Sequence, residues 1–432
     1  MTIKLSIISG LVLSCLSQFA IANTVTDLTN DIEPEVIQWR HHFHQYPELS
    51  NREFNTAKYV ADHLRSLGLE VHTGVAKTGV VAILDSGNPG PVVGLRADMD
   101  ALPVKEDNQL PFQSHETSEY NGKTVPVMHA CGHDTHMAML LGAANVLVKM
   151  KDQLHGKVKF IFQPAEEGAP SGEEGGAEMM VKEGVLQNPK VDVIFGLHIS
   201  SAADVGTINY RPGGTMAAVD SFKIVVKGRQ AHGASPWLSV DPIVTAAQMV
   251  LSLQTIVSRE LTLIDDGAVV TVGAINGGNR SNIIPGEVEM VGTIRTLNNK
   301  ARKLVHEAMQ RKVDAIAASM RATAELTLPY NDSYPVTYNE PALMHKMLPT
   351  LERTAGKEHV KEIKAITAAE DFSFYQQQIP GLYLFVGGKP LNIPVEKAPP
   401  HHTPDFYVED SSMKTGVKLL SNLTLDYMNQ AK

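Results

Sequence analysis

Three times in the first half of this chain, an apolar run ends in side chains that can hold metal or move protons. Val92 to Leu95 runs into Arg96-Ala97-Asp98-Met99-Asp100. Lys157 to Phe162 breaks at Gln163-Pro164 and delivers Ala165-Glu166-Glu167-Gly168, and Val191 to Leu197 ends on His198. Short runs rich in Val, Ile and Phe, bounded by turn residues, read as strands. Helical patterns separate them, which predicts an α/β fold with a largely parallel sheet flanked by helices. Ligands then bind in the crevice outside the carboxyl ends of the strands. Asp98, the Glu166–Glu167 pair and His198 converge on one rim although they are distant in sequence.

Between the first two runs lies Met128-His129-Ala130-Cys131-Gly132-His133-Asp134-Thr135-His136. Thiolate and imidazole are ligands for zinc and its first-row neighbours. The apolar residues that follow, Met137, Leu140, Leu141, Ala144, Leu147 and Val148, have helical spacing, so Asp134 or Thr135 is expected to cap a helix. Pro34 to Leu67 reads as a helix pair or one broken helix. Its His41, His42 and His44 stand beside Trp39 without a carboxylate or thiol at ligand spacing, and read as a polar helix face near a cleft. Gly168 to Gly176 reads as a mobile loop, since no strand feeds it in a phosphate-loop pattern.

The pattern changes after Gly213-Gly214. Strands at Ser221–Lys227, Ala268–Ala274, Val288–Ile294 and Ala322–Leu328 alternate with helices at Pro242–Ile256 and Lys300–Met320. That βαββαβ order is the split βαβ of a ferredoxin-like domain. Mixed helix and strand resume from Pro341, so the domain is inserted. The expected organisation is 1–22, a signal peptide; 32–213, the first part of a catalytic domain; 214–329, the insertion; and 330–432, the second part.

Lys4 precedes an uncharged apolar run, Leu5 to Ile21, which ends in the small-x-small site Ala20-Ile21-Ala22. This reads as a signal peptide cleaved after Ala22, and hence a periplasmic or secreted protein. Val12-Leu13-Ser14-Cys15, in which Leu13 fits poorly, is the lipoprotein alternative. Of two cysteines only Cys131 then remains, so no internal disulfide forms and metal ligation justifies the thiol. The net charge of -9 carries no basic footprint for nucleic acid.

Cys131, His133, Glu166, Glu167, His198 and His402 supply enough ligands for two metal ions that share a bridging group. Two such ions bind a nucleophilic hydroxide and polarise a carbonyl at once, and a glutamate beside a liganding glutamate is placed to take a proton.

The motifs Arg96-Ala97-Asp98-Met99-Asp100-Ala101-Leu102-Pro103, Cys131-Gly132-His133-Asp134-x-His136, Gln163-Pro164-Ala165-Glu166-Glu167-Gly168 and Gly196-Leu197-His198 resemble the dinuclear metal amidohydrolases of aminoacylase and carboxypeptidase G type. The branch is that of hippurate hydrolase, N-acyl-amino-acid amidohydrolase and the plant hydrolases of indole-acetyl-amino-acid conjugates. The resemblance implies a zinc-exopeptidase-like catalytic domain with an inserted lid and dimerisation domain. It also implies two divalent ions (zinc, manganese, cobalt or nickel) on Cys131, His133, Glu167, His198 and His402, with Cys131 between them. Glu166 becomes the general base and then the acid that protonates the leaving amine. His402 is chosen over His401 because it directly precedes Thr403-Pro404.

Asp98, Asp134 and His136 are then expected behind the ligands, orienting them. Asn282 and Arg295 are expected at the substrate, although Arg295 serves equally well as a structural ion pair. His232, a surface turn histidine on its own merits, becomes by resemblance an oxyanion donor acting in the partner subunit of a homodimer. Related exopeptidases carry His-x-Asp where this chain reads Arg96-Ala97-Asp98, and His133 is read as replacing the missing imidazole. The expected reaction cleaves an N-acyl amino acid, or a similar conjugate, into acid and free amino acid. The alternatives are a dipeptidase or carboxypeptidase of the same fold and, from another class, a periplasmic solute-binding protein.

Overall fold

The computed structural model of the chain describes residues 3–262, 264, 267–331 and 333–430, with side chains from Thr24 onward. The apolar run before Ala22 and its expected cleavage point lie outside the described side chains. Contacts divide the chain into two compact units. One is Met1–Pro212, Asn339–Ile363 and Phe374–Lys432; the other is Gly213–Tyr338 and Lys364–Ser373.

The first unit opens with helices α1 (Ile3–Gln45) and α2 (Phe54–Ser66), then strands β1 (Glu70–Val75), β2 (Gly79–Asp85) and β3 (Val92–Asp98). A hairpin follows, β4 (Thr117–Tyr120) with β5 (Lys123–Pro126), then α3 (His133–Lys149), β6 (Lys157–Gln163), α4 (Gly176–Lys182), β7 (Val193–Asp204) and β8 (Ile208–Tyr210). Helix α1 runs through Pro34, where the sequence reading has a helix begin. A proline inside a helix costs about 3 kcal/mol. Val25, Ile32, Val36, Trp39 and Phe43, buried along one face of α1 in the main core, offset that cost.

The second unit begins with β9 (Gly213–Met216), β10 (Ala218–Lys227) and β11 (Ala231–His232), followed by α5 (Pro242–Thr255), β12 (Ala268–Asn276) and β13 (Ile283–Ile284). It continues through β14 (Glu287–Thr296), α6 (Asn299–Ser319), β15 (Thr323–Thr327), β16 (Ser333–Tyr334) and β17 (Thr337–Asn339). Its sheet runs β12-β14-β10-β15, all antiparallel, which is the strand order of a ferredoxin-like domain. Residues alternate between buried and half-exposed along β10, as they do in a sheet covered on one face. Asp241 and Asn298 cap α5 and α6 by accepting backbone N–H groups of the first turn. Segment 364–373 joins this unit because Ala217 donates its N–H to the carbonyls of Ile366 and Ala368.

The chain returns through α7 (Pro341–Ala355), β18 (Val360–Glu362), the short α8 (Ser373–Gln376), β19 (Gly381–Lys389) and α9 (Met413–Gln430). The large sheet has the order β1-β2-β6-β3-β7-β19-β8-β18. Its centre, β6-β3-β7-β19, is parallel. Every residue of β3 and β19 is buried, as parallel strands covered on both faces must be. Helices α1, α3 and α9 pack on one another in the same apolar core. Among the described residues no helix is long and apolar enough to cross a membrane.

Candidate metal centre

Register sets the rim. Asp98 at the end of β3 pairs with Gln163 at the end of β6, and His198 on β7 pairs with Phe385 on β19. His198 lies within β7, where the sequence reading ends the strand. The β3–β7 pairing stops at Arg96↔Gly196, so His198 still projects beyond the last paired residue of β3 while β19 carries the strand onward. Helix α3 starts at His133 and its cap is Gly132, in place of the expected Asp134 or Thr135. Gly132 has φ +98°, and a Cβ there would collide with Cγ2 of Ile199. Only glycine lets the chain turn this tightly between two ligand candidates.

The ligand atoms of Cys131, His133 and His198 lie within 4.8 Å of one another, as do those of Cys131, Glu167 and His402. Cys131 thus belongs to both groups. Its Sγ stands 3.4 Å from Nε2 of His198 and 3.4 Å from Nε2 of His402. Nε2 of His402 is 3.1 Å from Oε1 of Glu167. Nε2 of His133 faces Oε2 of Glu166 at 3.8 Å and Oε1 of Glu167 at 4.0 Å. All these residues belong to the first unit.

Hydrogen bonds decide which ring nitrogen is available. Nδ1 of His133 donates to the carbonyl oxygen of Asp100 at 2.7 Å, and Nδ1 of His198 donates to that of Ile199 at 2.5 Å. Both Nε2 atoms therefore turn to the cluster, and Nε2 of His133 is buried there with no hydrogen-bond partner. An orphaned buried polar atom costs about 1–3 kcal/mol, and a bound cation relieves it. The 3.4 Å sulfur–nitrogen separations also match two ligands around one ion with bonds of about 2.3 and 2.1 Å. The residues present fit two divalent ions, which Cys131, His133, Glu167, His198 and His402 would hold. A ring nitrogen of His136 also lies within 4.8 Å of ligand atoms of Asp98 and His133, but both of its nitrogens are engaged. Its Nδ1 reaches Asp98 at 2.6 Å, and its Nε2 accepts the Ile199 N–H at 2.8 Å.

Four carboxylates converge here, and the electrostatics follow. Burial, then Glu167 and Glu166, push the Cys131 thiol well above its usual range. Burial alone would lower His133, but Asp98, Asp100 and Glu167 together outweigh it and raise the ring to about 10. Its bond to Glu167 raises His402. Burial and the neighbouring His136 and His401 depress His198. The pocket carries surplus negative charge that cations neutralise.

Behind the ligands, burial would raise Asp98, yet His133, Arg96 and His136 hold it well below the usual carboxylate range. Asp134 turns away from the ligand atoms. Its Oδ2 accepts Nε of Arg40 at 3.2 Å and Nδ1 of His44 at 3.0 Å, tying the start of α3 to α1. The His41–His44 cluster does have carboxylate partners: His44 also reaches Glu106 at 3.1 Å, and His41 reaches Asp410 at 2.9 Å. Spacing hides them because they lie on other elements. Glu173 ties the expected mobile loop to Arg52 at 2.6 Å and to Lys77 at 2.5 Å.

Three residues escape the sequence reading. Asp100 accepts the N–H groups of Glu166 and Glu167, each at 3.0 Å; the Asp98-x-Asp100 repeat was its only signal. His401 accepts the Ser201 N–H at 3.3 Å and donates to the Cys131 carbonyl at 3.1 Å, so it braces the ligand loop. His402 has φ +64°, a strained backbone of the kind that collects at functional sites. Glu53, wholly buried, holds the Ala165 N–H at 2.9 Å and had no local signal.

His232, Asn282 and Arg295 all lie in the second unit. The β11–β13 pairing sets His232 opposite Ile283, and Gly233 donates its N–H to the Asn282 carbonyl at 2.8 Å. His232 is exposed, and its Nδ1 accepts the Ala234 N–H at 3.0 Å, so Nε2 carries the proton and is a donor. Arg295 on β14 donates to the Thr293 hydroxyl at 2.7 Å.

The family model described as "Peptidase family M20/M25/M40" matches residues 94–426. The chain is 40% identical to thermostable carboxypeptidase 1 of Saccharolobus solfataricus, over 94% of this chain and 99% of that one. It is 38% identical to N-acetyl-L-cysteine deacetylase of Bacillus subtilis, over 82% and 81%. Among solved structures, a Bacillus subtilis dinuclear metal binding peptidase from the M20 family superposes with a TM-score of 0.77 at 32% identity, covering 93% of this chain and 99% of that one.

Proposed function

The chain belongs to peptidase family M20/M25/M40, hydrolases of linear amide C–N bonds, and on that premise we propose that it cleaves N-acyl amino acids or similar conjugates into a carboxylic acid and a free amino acid. The carrying observation is the split between two adjacent glutamates. Both glutamates stand with His133 in one candidate group, but only Glu167 also reaches Cys131 and His402. We assign the proton to Glu166, the glutamate that does not stand with the cysteine.

Cys131, His133, His198, Glu167 and His402 would hold two divalent ions, which supply the Lewis acidity that polarises the carbonyl and acidifies water. Glu166 takes a proton from the attacking water as its oxygen bonds to the carbonyl carbon. It returns that proton to the nitrogen as the C–N bond breaks. Asp98 and Asp100 hold the rings and the Glu166–Glu167 backbone in place meanwhile.

A cavity of about 130 Å³ borders Glu167, walled by Leu49, Ala101, Leu102, Pro103 and Tyr120 together with the polar Ser50, Arg52, Glu119 and Asn121. We read it as the seat of a short acyl or phenyl-sized group.

The names of the similar proteins support two substrate types, an N-acetyl amino acid and a peptide carboxyl terminus. We favour the acyl reading; the cavity itself is mixed in character, with Ser50, Arg52, Glu119, Asn121 and Glu167 among its walls. Family membership sets aside the solute-binding alternative.

Protein reconstituted with zinc, manganese, cobalt or nickel should release amino acid from N-acetyl and N-benzoyl substrates faster than from dipeptides. Cleavage restricted to substrates with a free α-amine would overturn the acyl reading. We further propose export with cleavage after Ala22, a homodimer built through the second unit, and His232 as an oxyanion donor across that dimer. Its protonated Nε2 supports the last of these.

A further inference from the structure

We infer that Glu53 is a positioning residue for the Glu166 carboxyl, acting through the backbone of Ala165; the inference rests on the reading of Glu166 as general base. Glu53 immediately precedes α2 and is fully buried. Each carboxyl oxygen is used. Oε1 accepts the Ala165 N–H at 2.9 Å and Oε2 accepts the Thr78 hydroxyl at 2.6 Å, and Thr78 is itself buried.

Ala165 has φ +52°, a left-handed backbone that a residue with a Cβ disfavours and keeps only where its surroundings impose it. The twist turns three successive N–H groups inward. Ala165 donates to Glu53, while Glu166 and Glu167 donate to the two oxygens of Asp100. The side chains of Glu166 and Glu167 therefore leave on the opposite side, toward the ligand cluster. A concave row of backbone N–H groups suits carboxyl acceptors, and here the protein's own carboxyls fill it.

Asp100 also bonds to His133 through its carbonyl, so its loss would disturb a metal ligand directly. Glu53 differs. Among the described residues it bonds to the turn and to Thr78 but to no ligand side chain. Without its oxygen the left-handed turn loses one of its three holds, and the Glu166 carboxyl swings. A displacement of about 1 Å costs on the order of a hundredfold in rate.

The test uses the metal-loaded enzyme on whichever amide substrate the panel above identifies. Glu53→Leu removes the acceptor. Its kcat should fall roughly tenfold to a hundredfold, with KM within about twofold of wild type and metal content unchanged. Glu53→Gln keeps an oxygen for the Ala165 N–H, and the Thr78 hydroxyl turns to accept from its amide, so it should recover most of that loss. If Glu53→Leu does not fold, Thr78→Val, which frees the same carboxyl from its second hold, should lower kcat by a few-fold at constant KM. An unimpaired Glu53→Leu overturns the inference, as does a Glu53→Gln equally damaged, or loss of metal alongside activity. Where only Thr78→Val folds, its unchanged kcat overturns it. Glu166→Gln measured beside them separates the two readings. If it is active, the base assignment itself fails; if it is inactive beside an unimpaired Glu53→Leu, only the role of Glu53 fails.

Discussion

Ile199 donates its backbone N–H to Nε2 of His136 at 2.8 Å, which takes the one lone pair through which that imidazole would reach a metal. With Nδ1 held by Asp98 at 2.6 Å, the ring is a strut between β3 and β7, although it shares a helix turn with the ligand candidate His133. The Ile199 carbonyl receives Nδ1 of His198, so one residue of β7 orients two imidazoles through its N–H and its C=O.

His136→Ala should therefore weaken metal binding without abolishing it. Partners of this kind typically change metal affinity about 10- to 100-fold. Metal titration of the stripped protein, followed by elemental analysis at saturation, should still find two ions per chain. Saturation at one ion would make His136 a ligand.

Cys131→Ala should be far more severe, because the sulfur stands 3.4 Å from imidazoles of both ligand groups. Dialysed variant protein should hold less than one ion per chain and turn over little substrate. Full metal and full activity would rule out the shared sulfur.

Glu166→Gln should keep both ions and lose turnover by about a hundred- to ten-thousandfold, the usual worth of positioned proton transfer. Glu167→Gln should lose metal instead, since its carboxylate joins Cys131 and His402 in one group. Equal metal loss from the two variants would mean that both carboxylates ligate.

In the second unit the buried Asp220 carboxylate accepts Nε and Nη2 of Arg302 at 2.8 and 2.6 Å and Nε2 of His306 at 2.9 Å. Burial would raise its pKa, but Arg302 and His306 outweigh burial and hold it below the usual value. A carboxylate depressed in the folded state stabilises the protein fully above its unfolded pKa of about 3.9, and that contribution is lost as pH falls through the folded value. Asp220→Asn should cost about 1–3 kcal/mol at pH 7, and the gap from wild type should begin to narrow below about pH 4. A gap of the same size at pH 3 in thermal melts would exclude this origin.

His232→Ala should lower turnover while leaving metal content intact. Mixing it with Glu166→Ala, under conditions where subunits exchange, should restore roughly a quarter of wild-type sites, because half of randomly paired dimers are mixed and each has one intact site. No recovery despite proven exchange would remove the trans role, and a fully active monomer would remove it sooner.

What the sequence by itself determined was local and periodic. Runs such as Lys157 to Phe162 declared buried strands, and the βαββαβ pattern from Ser221 to Leu328 matches the observed sheet order β12-β14-β10-β15. Strand ends carrying Asp98 and Glu166-Glu167 marked the rim, because parallel strands place their carboxyl ends together. Tertiary structure decided what spacing cannot encode. His401 and His402 are neighbours in sequence, yet one ring braces the Cys131 carbonyl and the other faces its sulfur. His133 and His136 share a helix turn, but only the first has a free Nε2. Glu53 and Asp100 grip the Ala165–Glu167 turn from distant segments of the chain. A hydrogen bond or ligand position depends on a few ångströms and a ring orientation. Those are set only when the sheet brings separate elements into contact.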